Sequence, residues 1–180
     1  MTDAAANCLS LPLGRLGVML ADCANFRALH VDMVDRAAAL ARIYEEGLPL
    51  PAADQYTIAE MTAYRPFAII HHRGGQGFYS KRTGVSGSSF DWSDGGVMLI
   101  AIERTCANTS KNEPSSDAER QWRNAVGAIL DDLKGLAGGE DYVAAERIEI
   151  LAIGFGHPDD AVTEGVWQRV EIGVQWEGQG

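Results

Sequence analysis

Trp122, Val126, Ile129, Leu133 and Leu136 recur at intervals of 4, 3, 4 and 3, the spacing that places apolar side chains on one face of an α-helix. Pro114 and a Ser116-x-x-Glu119 capping box precede the run, and Gly138-Gly139 stops it. Roughly twenty residues rising 1.5 Å each give a helix of about 30 Å, long enough to lie across a small sheet. A helix with a single apolar stripe must bury it, so the rest of the chain has to supply a facing layer.

Runs of strand character supply that layer. Pro66 opens Phe67-Ala68-Ile69-Ile70-His71-His72, where a proline at the first position of a strand removes no central ladder bond. Val97 to Arg104 is apolar on both alternations, which predicts a central strand buried on both faces. Arg147 to Phe155 and Val166 to Trp176 follow the long helix. In the second of these Val166, Val170, Ile172, Val174 and Trp176 share one side, Arg169, Glu171 and Gln175 share the other, and Gln168 alone breaks the pattern. The turn-rich connector Gly156-His157-Pro158-Asp159-Asp160 predicts an antiparallel hairpin between them.

Upstream, Leu16, Leu20, Cys23 and Phe26 predict a first helix over Leu16 to Leu29 in spite of Gly17. The alanine-rich segment from Met33 to Ile43, with Asp32 as N-cap, predicts a second helix or a helix-to-strand join. Pro49 to Arg65 reads as an irregular connection. Between His72 and Val97 stand seven glycines, flanked by Phe78-Tyr79 and by Phe90 and Trp92, which predicts a glycine-rich β-arm over residues 73–96. The expectation is an α+β single domain over residues 1–180: an antiparallel or mixed sheet of about four strands, the long helix packed on it, two N-terminal helices, the projecting arm, and frayed ends at 1–12 and 177–180.

Composition narrows the functional classes. The 180 residues are 46% hydrophobic and 22% charged, which suits a packed core and excludes a wholly disordered chain. No apolar run approaches the roughly 18 to 20 residues that span a bilayer, and the N-terminus lacks a basic region ahead of an apolar one, so an intracellular start without membrane insertion is expected. A net charge of −10 argues against nucleic-acid affinity built on phosphate neutralisation. The excess sits late: residues 1–80 hold 8 acids and 6 bases, residues 81–180 hold 17 and 9. Cys8, Cys23 and Cys106 have neither disulfide-framework nor zinc-site spacing.

Motifs for chemistry are weak. His71 and His72, being successive on a strand, point to opposite faces and do not readily share a metal ion. His157 with Asp159 and Asp160 fits a solvated turn better than a ligand set. Gly84-Val85-Ser86-Gly87-Ser88 lacks the spacing and the strand-to-helix setting of a nucleophile elbow, and Gly74-Gly75-Gln76-Gly77 matches no phosphate-binding loop. No catalytic, cofactor-binding or metal-ligating residue is assigned. The arm is more informative, because Arg73, Lys81 and Arg82 are its only charges before Asp91. With Phe78 and Tyr79 they are the candidate oligomer-interface residues, a basic projection suited to the acidic late-chain surface of a neighbouring subunit.

The organisation resembles that of the tail terminator and minor tail proteins of long-tailed bacteriophages and prophages. The resemblance is carried by the N-terminal helix, the stretch from Arg42 to Pro49, the strand introduced by Arg65-Pro66-Phe67, the central strand, the long helix and the closing pair that ends in Val174-Gln175-Trp176, over roughly residues 10–177. It implies a virion structural protein without catalysis, assembled as a ring, expected to be a hexamer, on the last layer of the tail tube. Such a ring ends tail polymerisation and prepares the tail for the head. Its partners would be further copies of itself, the tail tube protein and a head-tail connector or neck protein, with assembly in the host cytoplasm. The arm and the two-helix beginning exceed what a minimal terminator needs, which leaves another neck or tail-completion role open. Two alternatives come from other classes: a small metal-dependent enzyme using His71 or His72 with His157, Asp159 and Asp160, and an adaptor or ligand-binding domain using Phe78, Tyr79, Phe90 and Trp92.

Overall fold

The strands read from the sequence pair into one sheet, and two further strands join them. The computed structural model describes residues 11–51, 55–72, 79–86, 89–106, 115–137, 147–156 and 167–179. Five strands, β1 (Ile43–Glu45), β2 (Phe67–His72), β4 (Ser89–Thr105), β5 (Arg147–Gly156) and β6 (Trp167–Gln179), lie in the order β1-β2-β4-β6-β5. A sixth, β3 (Tyr79–Ser86), pairs with β4 alone. The β1–β2 pair is parallel and the others are antiparallel, so the fold is α+β with a mixed sheet larger than the expected four strands.

β4 is central, as its two-sided apolar pattern predicts. On one face Ala68 and Ile70 of β2, Ile100 and Ile102 of β4, and Val170, Ile172 and Val174 of β6 are fully buried in a single core cluster. The covering layer is made of α1 (Leu11–Asp22), the short α2 (Ala24–Arg27) and α5 (Ser116–Leu136). Trp122, Val126, Ile129 and Leu133 of α5 are buried as the stripe requires, joined by Leu130 and Ala118. The apolar stripe of the first predicted helix also survives, with Leu16, Leu20, Cys23 and Phe26 at 0% exposure, but Cys23 takes an extended conformation and splits it into α1 and α2. A methyl group at Gly17 would lie 3.6 Å from Ile43 Cγ2 and 3.7 Å from Ile70 Cδ1, so anything longer would lift α1 off β1 and β2.

Helix ends differ from the sequence reading where two capping residues compete. α3 (Arg36–Leu40) is capped by Asp35, whose Oδ1 accepts from the Ala38 amide at 2.8 Å, rather than by Asp32. α5 is capped by Ser115, whose Oγ accepts from the Ala118 amide at 3.1 Å. Glu119, assigned to a capping box with Ser116, instead accepts a hydrogen bond from Gln168. Pro49 to Arg65 is not irregular throughout, for it contains α4 (Ile58–Tyr64), announced by a Thr57-x-x-Glu60 box with both reciprocal bonds formed. The Arg65–Pro66 peptide that follows is cis.

The arm is a continuation of the sheet. β3 pairs with the first half of β4, from Tyr79 opposite Gly95 to Ser86 opposite Ser89. β6 occupies the other side of Ser93 to Gly95, so β3 lies on the same side of β4 as β2 does. Residues 177–179 are not a frayed end: Glu177, Gly178 and Gln179 pair with Gly95, Asp94 and Ser93. The physical reason is that a long central strand offers amide and carbonyl groups on both sides, and the end of β6 takes up the second side.

Candidate functional site

Of the interface candidates read from the sequence, Tyr79, Lys81 and Arg82 stand on β3 in register with Gly95, Ser93 and Trp92, while Arg73 and Phe78 lie outside the described residues. Phe90 faces Val85 in the same ladder. Of the enzyme alternative's residues, His71 and His72 stand near one end of β2, in register with Leu99 and Met98. His157, Asp159 and Asp160 themselves lie outside the described residues. Among the described residues no group of three or more His, Cys, Asp or Glu side chains is placed to hold a metal ion.

The structure assembles two polar clusters that the sequence did not single out, one on each face at the Thr105 end of β4. On the face away from α5, Glu103 is held by two guanidinium groups: Arg65 Nε donates to Oε2 at 3.3 Å and Arg169 Nη1 to Oε1 at 3.0 Å. Arg169 reaches on to Glu171 at 2.8 Å. Arg65 and Glu103 are 3% and 9% exposed in their side chains, so each charge persists there because the other neutralises it. The Arg65 guanidinium carbon stands 5.6 Å from the Trp167 ring centroid. These residues floor a cleft of about 510 Å³ whose rim is formed by Tyr56, Thr57 and Met61 at the start of α4. Beside it Tyr44, Tyr56, Tyr64 and Phe67 make edge-to-face ring contacts that seat α4 on the sheet. The signal available in the sequence was Glu103 inside an apolar strand, a charge that burial would tolerate only with a partner.

On the helix-covered face, Gln168 accepts from Arg104 Nε and Nη2 at 3.1 and 2.9 Å and donates to Glu119 at 2.8 Å. Gln168 therefore keeps the strand alternation after all, as a fully buried polar residue with its amide satisfied at both ends. Arg104 also donates to the Ala118 carbonyl at 3.0 Å and lies 4.7 Å from the Trp122 ring centroid, and burial lowers its pKa. This cluster ties the first turn of α5 to β4 and β6.

Neither cluster carries an activated nucleophile. The Thr57 hydroxyl is engaged with Glu60 in the α4 cap. Burial, followed by the nearby Asp132 and Asp22 carboxylates, pushes the Cys23 thiol up to about 12, and its Sγ donates to the Met19 carbonyl at 3.3 Å. Burial likewise raises the Cys106 thiol. Thiols held in the protonated form are poor nucleophiles.

Among the described residues, large apolar side chains are exposed at Val31, Val34 and Leu50, at 83, 77 and 96%, and along β5. Leu151, Ile153 and Phe155 are 44, 45 and 45% exposed, and among the described residues β5 has a strand neighbour on one side only. Ile153 and Phe155 are in register with the core residues Ile172 and Val170, and the Phe155 ring lies 5.6 Å from the Arg123 guanidinium carbon of α5. They form an apolar shelf on the helix-covered side of the sheet. No described helix is long and apolar enough to cross a membrane.

The sequence matches no protein-family model and no curated protein. Among solved structures, the chain is similar to a chain of the virion of a native gene transfer agent particle, at 14% identity over 92% of this chain and 97% of that chain, with a TM-score of 0.33.

Proposed function

We propose that the protein is a structural component of a phage-type tail, a tail terminator that closes into a ring on the last layer of the tail tube, ends its growth and presents the surface for head joining. The observation that carries this reading is the sheet itself, which extends past its helix-covered core into an arm and ends in an exposed apolar strand. Surfaces of that kind serve contacts with other chains. The ion pairs around Glu103 and the network around Gln168 are internally neutralised, which suits a structural role. Partners in this reading are further copies of the chain, expected as a hexamer, the tube protein and a neck or connector protein.

The test is light scattering over a concentration series, with and without isolated tail tubes, followed by electron microscopy. Rings of uniform diameter, free or at one end of the tubes, are expected. A chain that stays monomeric and leaves tube ends bare overturns the reading.

A further inference from the structure

Among the described residues β1 and β5 are the two ends of the strand order, and we infer that they join neighbouring copies: the β5 edge of one copy receives β1 and α3 of the next. This rests on the assembly reading above and specifies which surfaces meet. Direction and level both fit. β5 is antiparallel to β6, β6 to β4 and β4 to β2, while β1 is parallel to β2, so β5 and β1 run in opposite directions. Followed across the ladders, Ile153, Gly154 and Phe155 stand level with Glu45, Tyr44 and Ile43. Copies set side by side in the same orientation therefore bring the exposed stretch of β5 against the whole of β1 as an antiparallel pair. The Arg42 carbonyl accepts from the Ala68 amide and the Glu46 amide donates to the Ile70 carbonyl, so backbone alternation turns the amides and carbonyls of Ile43 and Glu45 to the outer edge.

The surfaces that flank the two strands match as well. Ile153 and Phe155 form their apolar shelf on the helix-covered side. α3 packs against α1 on that same side, and only Ala41 and Arg42 join it to β1, so it lies at the β1 edge, with Val34 and Leu40 77 and 36% exposed. Charge gives the contact its polarity. Arg123 stands over the Phe155 ring, and Lys134 shares its flank of α5 at helical spacing, while Arg120 on that flank is paired with Asp117. At the β1 edge Glu45, Asp32 and Asp35 are exposed, and Arg36 is neutralised by Asp22. Glu45 turns to the helix-covered side, for a methyl group at Gly14 of α1 would lie 3.6 Å from its Oε1. A β5–β5 pair would set the basic flanks of two α5 helices against each other, and a β1–β1 pair would set Glu45 against its own copy. Because the joined edges are different surfaces, the contact is head-to-tail, the class that builds rings when the rotation closes.

The experiment uses the full chain with Cys8 and Cys106 replaced by serine, in the presence of tail tubes. Glu45→Cys and Ile153→Cys are made in separate preparations, mixed and bridged with a short bismaleimide. Cross-linked dimer is expected in the mixture and only in traces from either preparation alone. In parallel, Arg123→Glu with Lys134→Glu is expected to raise the concentration needed for ring formation at least about tenfold, read by light scattering or, on tubes, by electron microscopy. Adding Glu45→Lys to that chain is expected to restore ring formation. Cross-linking from one preparation alone that equals the mixture, or rings indifferent to the charge reversals, overturns the pairing while leaving the assembly reading intact. A parent chain that forms no ring, free or with tail tubes, overturns both.

Discussion

The two faces of one sheet are secured by different physics. Beneath α1 and α5 the contacts are apolar, with Ile100, Ile102, Ile172 and Val174 fully buried under Phe26 and Trp122, and the polar network around Gln168 is confined to the start of α5. Beneath α4 the contacts are aromatic and ionic: Tyr56 meets Tyr64, Tyr64 meets Tyr44 and Tyr44 meets Phe67, beside the Arg65–Glu103–Arg169 group. The first face depends on the area removed from water, and the second on charges and rings that have to meet in particular orientations. A long helix can cover one face of a sheet by periodicity alone. A helix as short as α4 covers little area and needs specific contacts to hold its place.

That contrast can be broken from either side. The largest effect is expected from Trp122→Ala, which removes the largest fully buried side chain of the α5 stripe and the ring under Arg104; unfolding in denaturant should show a loss of about 3–5 kcal/mol. On the other face, Glu103→Ala leaves the Arg65 charge buried without its carboxylate and should cost about 3 kcal/mol by the same measurement. Replacing Arg65 and Glu103 together by apolar residues of matched volume should recover most of that loss, since a buried ion pair contributes little beyond a well-packed apolar pair. Full recovery would show that the ion pair directs the packing of this face without adding to its stability.

Smaller effects sharpen the comparison. Gln168→Ala strands Arg104 and Glu119 together and should lower stability by about 1–3 kcal/mol, with faster amide exchange in the first turn of α5. The smallest effect is a pH dependence local to α4. Hydrogen bonds from the Thr57 backbone and hydroxyl hold the Glu60 carboxyl below its ordinary value of 4.5. The capping contribution is therefore complete above 4.5 and is lost as pH falls through the lowered folded value. Amide exchange across residues 58–64 should accelerate in that acidic range while the α5 core stays protected, and Glu60→Gln should abolish the pH dependence.

The sequence was most legible where short-range periodicity decides structure. The α5 stripe, the strand from Phe67 to His72, the central strand and the closing hairpin all follow from spacings that one face of an element must satisfy. α4 was marked by Thr57-x-x-Glu60, but Pro49, Pro51 and its short length masked the signal. The break at Cys23 left no such mark, because both halves of the helix keep the same apolar stripe. Gln168 looked like a fault in the pattern because its partners, Arg104 and Glu119, are distant in sequence.

The sequence by itself determined the long helix and the main strands, which side of each is apolar, and that a basic, glycine-rich stretch interrupts an acidic chain. Only the tertiary structure decided that β3 and β5 end on opposite sides of the sheet, that residues 177–179 brace the arm, and that Glu103 meets Arg65 and Arg169. The reason is the range of the interactions. Periodicity is fixed by the local geometry of the backbone, whereas strand order and charge pairing depend on which distant segments compete for the same edge or the same buried site.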